Sequence, residues 1–404
     1  MRVLLVHNFY QSSAPSGENG VYLQERDLLQ RGGIAVSTFE RRNDSIDAGS
    51  LTATARVAWH ASWSRETYRA LSVQLRKERP QIAHFHNTFP LISPSAYAAC
   101  RDSAVPVVQT LHNYRLICPG GLLMRKGQPC EDCVGSHLLP ALAHRCYRDS
   151  AAGTAAVVWM LLRNKRHGTY ASLVDRYIAL TSFAASRLIS GGLPADRIDV
   201  KPNFLADAPA VGTGRGGYAL YVGRLTAEKG VRVLLQAWRT RRDLLPLKIV
   251  GDGALRNELE QFARTEVLPV EFLGMRTRAQ VLELVRDAAL QIIPSQWYEG
   301  FPLVLVEALA CGTPLVASRI GSLDELVADG RTGVKFEPGD AAGLAAAVRR
   351  LCAEPIALDR MRLSARAEFE SRYGAAENLD QLLAIYDRAA SDCRSASRRR
   401  LVNE

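Results

Sequence analysis

A buried strand end, a tight loop and an apolar helix follow one another in Pro294-Ser-Gln-Trp-Tyr-Glu-Gly-Phe-Pro-Leu-Val-Leu-Val-Glu-Ala-Leu-Ala-Cys-Gly312. Gly300 lets the backbone approach a ligand closely. Pro302 suits the first position of the helix, because its missing N–H would be unpaired there anyway, and Gly312 suits the helix stop. The uncapped N–H groups of the first turn then point toward the loop, where an anion is favoured.

Two carboxylates flank this predicted anion site. Glu299 lies in the loop beside it, and Glu307 lies about one and a half turns into the helix. A nucleotide sugar has the matching layout, with hydroxyls for each carboxylate and a diphosphate between them. The alternative is a partly buried loop glutamate and a satisfied helix glutamate in an ordinary α/β domain, which the spacing alone does not exclude.

The same stretch, with the following Ala-Leu-Ala-Cys-Gly-Thr-Pro, closely resembles the paired-glutamate motif of the family-4 retaining glycosyltransferases. That family has the GT-B fold, in which two doubly wound, Rossmann-like parallel-sheet domains face each other across a cleft. The resemblance implies that Glu299 meets hydroxyls of the donor sugar and that Glu307 holds the nucleotide ribose. It also implies that the donor contacts the residues that lie between them: Gly300, Phe301, Pro302, Leu303 and Val304.

A second candidate site for phosphate is Gly223-Arg-Leu-Thr-Ala-Glu-Lys-Gly230, which follows a predicted strand and opens a helix. Arg224 offers a forked cationic donor and Lys229 a point-like one. The stretch resembles a glycine–arginine–lysine–glycine motif of the family. This implies that both cations hold the donor diphosphate and stabilise the leaving nucleotide. Two solvated charges in a strand–helix loop are the alternative.

Other candidates follow other predicted strands. Ser16-Gly17-Glu-Asn-Gly20 resembles the family's glycine-rich loop over the donor phosphates and the acceptor, so Gly17 and Gly20 are candidate binding residues. It is not a dinucleotide fingerprint, because G-x-G-x-x-G is absent. The resemblance implies that His112 positions the donor sugar and that Met275 lies where the base packs.

His84 and His86 lie on one face of a predicted strand, at a spacing that a metal pair also uses. We interpret them as structural histidines at a strand end and assign them no metal. The resemblance implies a metal-independent front-face displacement, with Glu299, His112, Arg224 and Lys229 as the catalytic residues. The leaving diphosphate takes the proton of the acceptor hydroxyl, and no cofactor is required for catalysis.

Composition indicates a globular protein with two domains of ordinary size, since the chain has 404 residues. No apolar run approaches the ~20 residues that span a bilayer, and the first residues predict a strand rather than a signal peptide, so we expect a cytoplasmic protein. Residues 1–200 contain 23 Lys and Arg against 15 Asp and Glu, which is most of the formal net charge of +10. This excess indicates an anionic partner for the first half. No nucleic-acid-binding motif accompanies it, so a nucleic acid is not the expected partner.

Strand-like and helical patterns alternate along the chain, which predicts parallel sheets covered on both faces. We expect an acceptor-side domain over residues 1–203, with a cysteine-bearing insert at 115–150, and a nucleotide-sugar-binding domain over 218–375. A Gly- and Pro-rich linker separates them at 204–217. A C-terminal helix at 376–391, which in the family often crosses back to the first domain, precedes a basic tail at 392–404, of which residues 395–404 are expected to be disordered.

Four cysteines in the insert, Cys118, Cys130, Cys133 and Cys146, suit a tetrahedral structural zinc site, because Cys130-x-x-Cys133 is a typical half-site. The segment resembles a cysteine-bearing insertion that a subset of the family carries. The alternative is four reduced thiols in a lid loop.

The segment 155–167 combines an apolar block, a tryptophan and a basic cluster. It predicts either a helix seated on an anionic membrane surface or a buried helix that ends in solvated basic residues. Lipid-linked acceptors are common in the family, which favours peripheral attachment to the inner face of the membrane.

These observations predict a retaining glycosyltransferase that uses a UDP- or GDP-sugar and a glycan or polyprenyl-linked acceptor, in polysaccharide or glycolipid synthesis. The alternatives are a GT-B nucleotide-sugar epimerase, for which no acid/base carboxylates are evident, and a non-catalytic partner subunit. The intact Arg224, Lys229, Glu299 and Glu307 count against the second of these.

Overall fold

The computed structural model describes residues 1–12, 17–47 and 50–403, and these residues form two compact units. The N-terminal unit takes its described residues from Met1–Leu123, Glu131–Pro202 and Asn378–Glu404. The C-terminal unit consists of Met124–Cys130 and Asn203–Glu377.

The N-terminal unit contains a parallel sheet with the strand order β2-β1-β3-β4-β7-β8. Its strands are β1 (Arg2–Phe9), β2 (Ala35–Arg42), β3 (Ile82–Asn87), β4 (Val107–Leu111), β7 (Arg176–Ala179) and β8 (Ile198–Val200). Its helices before the C-terminal one are α1 (Gly17–Arg31), α2 (Leu51–Ser62), α3 (Arg65–Glu78), α4 (Ser95–Asp102), α5 (Leu139–Ala143), α6 (Ala151–Arg166), α7 (Thr169–Ser172) and α8 (Ser182–Ser190). A short antiparallel hairpin, β5 (Met124–Arg125) and β6 (Gln128–Pro129), is grouped with the C-terminal unit.

The C-terminal unit contains a second parallel sheet, with the order β11-β10-β9-β12-β13-β14. Its strands are β9 (Ala219–Val222), β10 (Leu247–Val250), β11 (Val270–Gly274), β12 (Leu290–Ile293), β13 (Leu315–Ser318) and β14 (Gly333–Phe336). Its helices are α9 (Val231–Thr240), α10 (Arg256–Thr265), α11 (Arg278–Asp287), α12 (Leu303–Ala310), α13 (Gly321–Leu326), α14 (Ala341–Ala353) and α15 (Pro355–Arg372). Trp238 of α9 is fully buried in its core against the sheet.

The last helix, α16 (Ala375–Asn403), belongs mostly to the N-terminal unit. Its residues Leu382, Ile385 and Tyr386 are buried in the same cluster as Val3 and Leu5 of β1. The prediction of a disordered tail from residue 395 is wrong for the backbone through Asn403, which is helical. This stretch lacks Gly and Pro and contains three consecutive Arg residues, which favour a helix.

The predicted linker at 204–217 belongs to the C-terminal unit and packs against other residues of that unit. Its backbone donates hydrogen bonds from Gly212, Gly214 and Gly216 to carbonyls near the end of α11 and at Cys311. A Cβ at Gly212 would lie 2.0 Å from the Arg286 carbonyl oxygen, so glycine permits this close packing. The Gly- and Pro-rich composition that indicated a linker between domains therefore has a packing function here.

Apolar runs in the sequence predict ten strands, and all ten are confirmed to within a few residues at their ends: 3–6, 35–39, 82–85, 107–111, 177–180, 218–222, 247–250, 270–273, 290–293 and 315–317. The sequence analysis missed the two-residue strands β5 and β6 and the edge strands β8 and β14, which have three and four residues. Short edge strands carry too little periodicity to be recognised. No helix within the described ranges is long and apolar enough to cross a membrane.

Candidate active site

Helix α12 begins at Leu303, one residue later than predicted. Pro302 has φ −73° and ψ 121°, so it is the extended residue before the helix and not its first position. No side chain within the described chain caps this helix start. The Leu305 N–H donates to the Pro302 carbonyl at 3.1 Å, and the earlier N–H groups of the first turn can meet an anion. Gly312 ends the helix with φ +69°, as predicted.

Lys229 and Glu299 form a partly buried ion pair beside this helix start, with 2.7 Å between Nζ and Oε1. The Ser295 hydroxyl also donates to the same carboxylate oxygen, at 2.6 Å. Burial alone would raise the pKa of Glu299, but Lys229 and Ser295 hold the pKa below its ordinary value. The carboxylate is therefore an acceptor of hydrogen bonds at neutral pH.

Two predicted motifs that are 70 residues apart in sequence meet here because their loops pack backbone against backbone. Gly230 has φ +72°, and a Cβ at this position would lie 1.8 Å from the Pro294 carbonyl oxygen. The Gln296 N–H donates to the Glu228 carbonyl, at 2.9 Å. Only glycine at position 230 allows the loop that carries Lys229 to lie so close to the loop that carries Glu299.

Arg224 is placed differently from Lys229. Its side chain is 60% exposed and lies 3.3 Å from Glu228, four residues along the chain. Its carbonyl accepts a hydrogen bond from the buried Tyr221 hydroxyl, which fixes the backbone while the guanidinium extends into solvent. An exposed pair of this kind contributes little to stability, so the guanidinium is available to a ligand at small cost.

Glu307 lies within α12, and its Oε1 is 3.5 Å from Nε of Arg278. Burial raises the pKa of Glu307, and Arg278 opposes this shift. Met275 follows β11, and its side chain is 64% exposed. This exposure would allow a nucleotide base to pack on it. The sequence analysis did not single out Arg278, which is the first residue of α11 and lies four residues after the end of β11.

The residues between the two glutamates are not all free to bind a ligand. Phe301 is buried, its ring lies 5.8 Å from the Tyr373 ring, and its carbonyl accepts from Asn203. The Val304 carbonyl accepts from Gln291 at 3.0 Å. Phe301 therefore has a packing role in the structure, whereas Gly300, Leu303 and Val304 are half-buried.

In the N-terminal unit, Gly17 and Gly20 belong to the first turn of α1 and not to a loop, while Ser16 lies outside the described residues. A Cβ at either glycine would meet no atom of the described residues within 4 Å, so packing against these residues does not require glycine there. Asn19 between them accepts hydrogen bonds at Oδ1 from the Tyr10 N–H and lies 3.0 Å from His7 Nε2.

His112 directly follows β4 and lines a pocket of the N-terminal unit. Its Nε2 lies 3.0 Å from Nδ1 of His86. Burial, with His86 and His7 nearby, holds the pKa of His112 well below its ordinary value, so the imidazole is neutral. A neutral imidazole has one donor and one acceptor nitrogen.

Glu18 also lines this pocket, and the sequence analysis missed it. It hydrogen-bonds with the Tyr10 hydroxyl and the Asn113 side chain. Burial raises its pKa to about 7, although Tyr10 and Arg115 oppose the shift. The only sequence signal was a carboxylate within the glycine-rich segment.

His84 and His86 are buried beside Glu25 of α1, and the ligand atoms of these three residues lie within 4.8 Å of one another. Each imidazole is already paired, since His84 meets Thr110 and Tyr386 at 2.8 Å. The ammonium of Lys201 lies 3.3 Å from Glu25 and would repel a bound cation. We therefore interpret the histidines as part of a buried hydrogen-bond network.

The four cysteines are half-buried. Within the described residues of the N-terminal unit, the sulfurs of Cys118, Cys133 and Cys146 do not all lie within 4.8 Å of one another. Cys130 is grouped with the other unit. A tetrahedral zinc site formed by these four thiolates stays a prediction.

Two family models match successive parts of the chain. The model described as Glycosyltransferase Family 4 matches residues 28–207. The model described as Glycosyl transferases group 1 matches residues 213–368. Together they cover most of both units.

The chain is similar to glycogen synthase of Mycobacterium tuberculosis, with 32% identity over 309 residues, which is 74% of this chain and 66% of the relative. It is 28% identical to alpha-D-kanosaminyltransferase of Streptomyces kanamyceticus over 72% of each chain. Among solved structures, Anabaena Alr3699/HepE in complex with UDP matches with a TM-score of 0.64 and 19% identity. That match covers 95% of this chain and 99% of the other, and it confirms the predicted GT-B fold class.

Proposed function

Because the chain belongs to the glycosyltransferases of family 4 and group 1, we propose that it transfers a sugar from a UDP- or GDP-sugar to a glycan or lipid-linked acceptor. The observation that carries the proposal is the Lys229–Glu299 pair beside the uncapped start of α12. A cation, a carboxylate and open N–H groups together match the phosphate and hydroxyl groups of a nucleotide sugar.

The pair can bind both parts of the donor at once. Lys229 has three N–H donors, so it can keep its bond to Glu299 and also donate to a phosphate oxygen. The second carboxylate oxygen of Glu299 is our candidate to accept from a sugar hydroxyl. Glu307 is a candidate for the ribose hydroxyls, with Arg278 beside it.

The chemistry that follows is the departure of a nucleoside diphosphate, on which negative charge accumulates. Lys229, Arg224 and the N–H groups of α12 stabilise that charge, which is catalysis by preorganised electrostatics. The leaving phosphate oxygen then accepts the proton of the acceptor hydroxyl on the same face, so the product retains its anomeric configuration. Metal independence is part of the proposal, because these groups already supply the positive charge.

UDP is the first candidate nucleotide, because the solved HepE structure of the same fold was determined in complex with UDP. In the N-terminal unit, His112 is our candidate for positioning the donor sugar. It lines a pocket that also contains Glu18 and Arg115.

A thermal-shift panel of UDP, GDP, ADP and their common sugars, with and without EDTA, tests the nucleotide site. A nucleotide at ~100 times its dissociation constant should add about 2.7 kcal/mol of stability. We expect one nucleotide family to raise the Tm equally with and without the chelator. No shift from any of them would contradict the proposed site, and a shift that EDTA abolishes would contradict metal independence.

We also propose that the N-terminal unit docks on an anionic membrane. Helix α6 buries Val157, Met160 and Leu161, while Trp159 is 54% exposed. Helix α2, which packs against α6, exposes 71% of Trp59. The last turn of α6 is basic. Exposed tryptophans beside basic residues suit the headgroup region of anionic lipid.

Liposome flotation tests the membrane proposal. We expect the protein to float with vesicles that contain phosphatidylglycerol and not with pure phosphatidylcholine, and we expect Trp159→Ser to weaken flotation. Ile356→Ser is the matched control, because Ile356 is an exposed apolar residue (72%) of the C-terminal unit. Equal flotation of wild type and Trp159→Ser, or binding to neither vesicle, would contradict the proposal.

A further inference from the structure

A chain of hydrogen bonds connects Glu25 of α1 with His112 at the pocket. Oε1 of Glu25 lies 3.0 Å from Nε2 of His86, and Nδ1 of His86 lies 3.0 Å from Nε2 of His112. The two imidazole planes are inclined by only 18°, with ring centroids 5.2 Å apart. Nearly parallel rings at this separation, with nitrogens in contact, fit an in-plane N–H···N hydrogen bond.

Glu25 is held as a carboxylate from several sides. Burial alone would raise its pKa, but His84, Lys201 and His86 hold the pKa well below its ordinary value. Lys201 donates to the other oxygen, Oε2, at 3.3 Å and also to Asn378 at 3.0 Å. Both carboxylate oxygens therefore accept hydrogen bonds, and neither carries a proton.

This carboxylate fixes which nitrogen of each imidazole carries the proton, first on His86 and then on His112. Because Glu25 can only accept, Nε2 of His86 carries the proton, and Nδ1 of His86 is then an acceptor. The hydrogen between the two rings must therefore be on Nε2 of His112. This leaves Nδ1 of His112 as a lone-pair acceptor, and within the described part of the chain it has no hydrogen-bond partner.

We propose that Glu25 is a positioning residue which, through His86, keeps Nδ1 of His112 unprotonated as the acceptor for a sugar hydroxyl in the N-terminal pocket. This inference rests on the proposed function, because it takes the ligand of the pocket to be a sugar. An unprotonated Nδ1 of His112 also selects the chemical class of the ligand. A sugar with a free hydroxyl facing His112 is favoured, whereas a deoxy sugar lacks the proton to donate and a carboxylate there is repelled by the lone pair.

The tautomer is measurable without any turnover. In protein labelled with 15N only at its eight histidines, the His112 signals are assigned by their loss in His112→Gln. In the wild type we expect Nε2 to be protonated and Nδ1 to be unprotonated. A protonated Nδ1 of His112 in the wild type would overturn the proposal.

Glu25→Gln tests the origin of the tautomer. Its amide oxygen is expected to face the Lys201 ammonium, which leaves the NH2 group to donate to Nε2 of His86. His86 then carries its proton on Nδ1, and His112 is forced to carry its proton on Nδ1. We expect the 15N pattern of both histidines to invert in the folded variant, and an unchanged pattern would overturn the role of Glu25.

Position 86 provides a variant pair that does not disturb the Lys201–Glu25 contact. His86→Leu removes the acceptor for His112, whereas His86→Asn can present Oδ1 where Nδ1 of His86 stood. With a donor sugar bearing all its hydroxyls, we expect His86→Leu to lose about tenfold in kcat/KM, the size of one neutral hydrogen bond, and His86→Asn to recover most of it.

Deoxy analogues of the donor complete the test. In the wild type, one analogue is expected to react about tenfold more slowly than the parent sugar, and in His86→Leu this ratio is expected to fall to about one. If His86→Leu keeps the wild-type ratio for every analogue, the network is only structural and the proposal is overturned. Failure of the proposed function is distinguishable, because it would appear as absent turnover of every nucleotide sugar while the histidine spectra still report the tautomer.

Discussion

Replacing Lys229 by alanine is expected to lower kcat at least about 100-fold, with a smaller effect on KM. Its ammonium lies 2.7 Å from Glu299, next to the start of α12, where the leaving diphosphate is proposed to bind. A preorganised hydrogen-bond donor that faces the charge developing in the reaction stabilises the transition state by ~3–4 kcal/mol. Glu299→Ala is expected to lower kcat by a similar factor. For each variant, kcat is measured as the nucleoside diphosphate released per enzyme molecule per second.

Each single variant also leaves a poorly solvated charge without its partner, so lost stability must be separated from lost catalysis. Breaking a buried pair from one side costs about 3–5 kcal/mol. Lys229→Met/Glu299→Gln removes both charges at similar volume. We expect this double variant to recover most of the Tm while its kcat stays at least about 100-fold low.

The matched control for Lys229 is Arg232→Ala. Arg232 pairs with Glu258 at 2.6 Å, but both side chains are about half exposed. Loss of such a surface pair costs about 0–1 kcal/mol, and kcat is expected to stay near that of the wild type. Lys229→Ala with most of its activity left would contradict the phosphate role of Lys229.

Lys201→Met is expected to destabilise the protein by about 3–5 kcal/mol, the cost of leaving a buried charge without its partner. Lys201 is 3% exposed and Glu25 is 1% exposed, and their ion pair joins the end of β8 to α1. Lys201 also donates to Asn378 of α16, so the substitution breaks a second contact. The measurement is urea denaturation, followed by circular dichroism.

The control for Lys201 is Arg388→Met on the same C-terminal helix. Arg388 lies 2.8 Å from Asp199, but its side chain is 45% exposed. We expect this variant to lose at most about 1 kcal/mol. Combining Lys201→Met with Glu25→Gln should recover part of the loss, since no unpaired charge then remains buried. Equal, small effects of Lys201→Met and Arg388→Met would show that the buried pair does not stabilise the fold.

The proximity of Lys229 and Glu299 could be predicted from the sequence. Both residues follow predicted strands, β9 and β12, and these two strands are neighbours in the parallel sheet. The carboxyl ends of neighbouring parallel strands bring their loops together. The resemblance to known motifs implied that both residues bind the same donor, and the strand order explains physically why they meet.

The hydrogen-bond network around Glu25 could not be predicted from the sequence. Glu25 is a carboxylate in the middle of an amphipathic helix, which normally indicates a solvent-facing position. Its partner Lys201 is 176 residues away in sequence, and no periodicity encodes that distance. Pro302 was misplaced by one residue for a related reason, because helix boundaries depend on backbone geometry that composition does not specify.

The most direct test of the nucleotide-sugar site is donor hydrolysis by the full chain without added metal, using a panel of UDP- and GDP-hexoses. We predict that one donor releases its nucleoside diphosphate at a rate that EDTA does not change. Lys229→Met/Glu299→Gln should be at least about 100-fold slower while remaining folded. Equal rates for the wild type and this double variant, or no release from any donor, would contradict the assignment of the site.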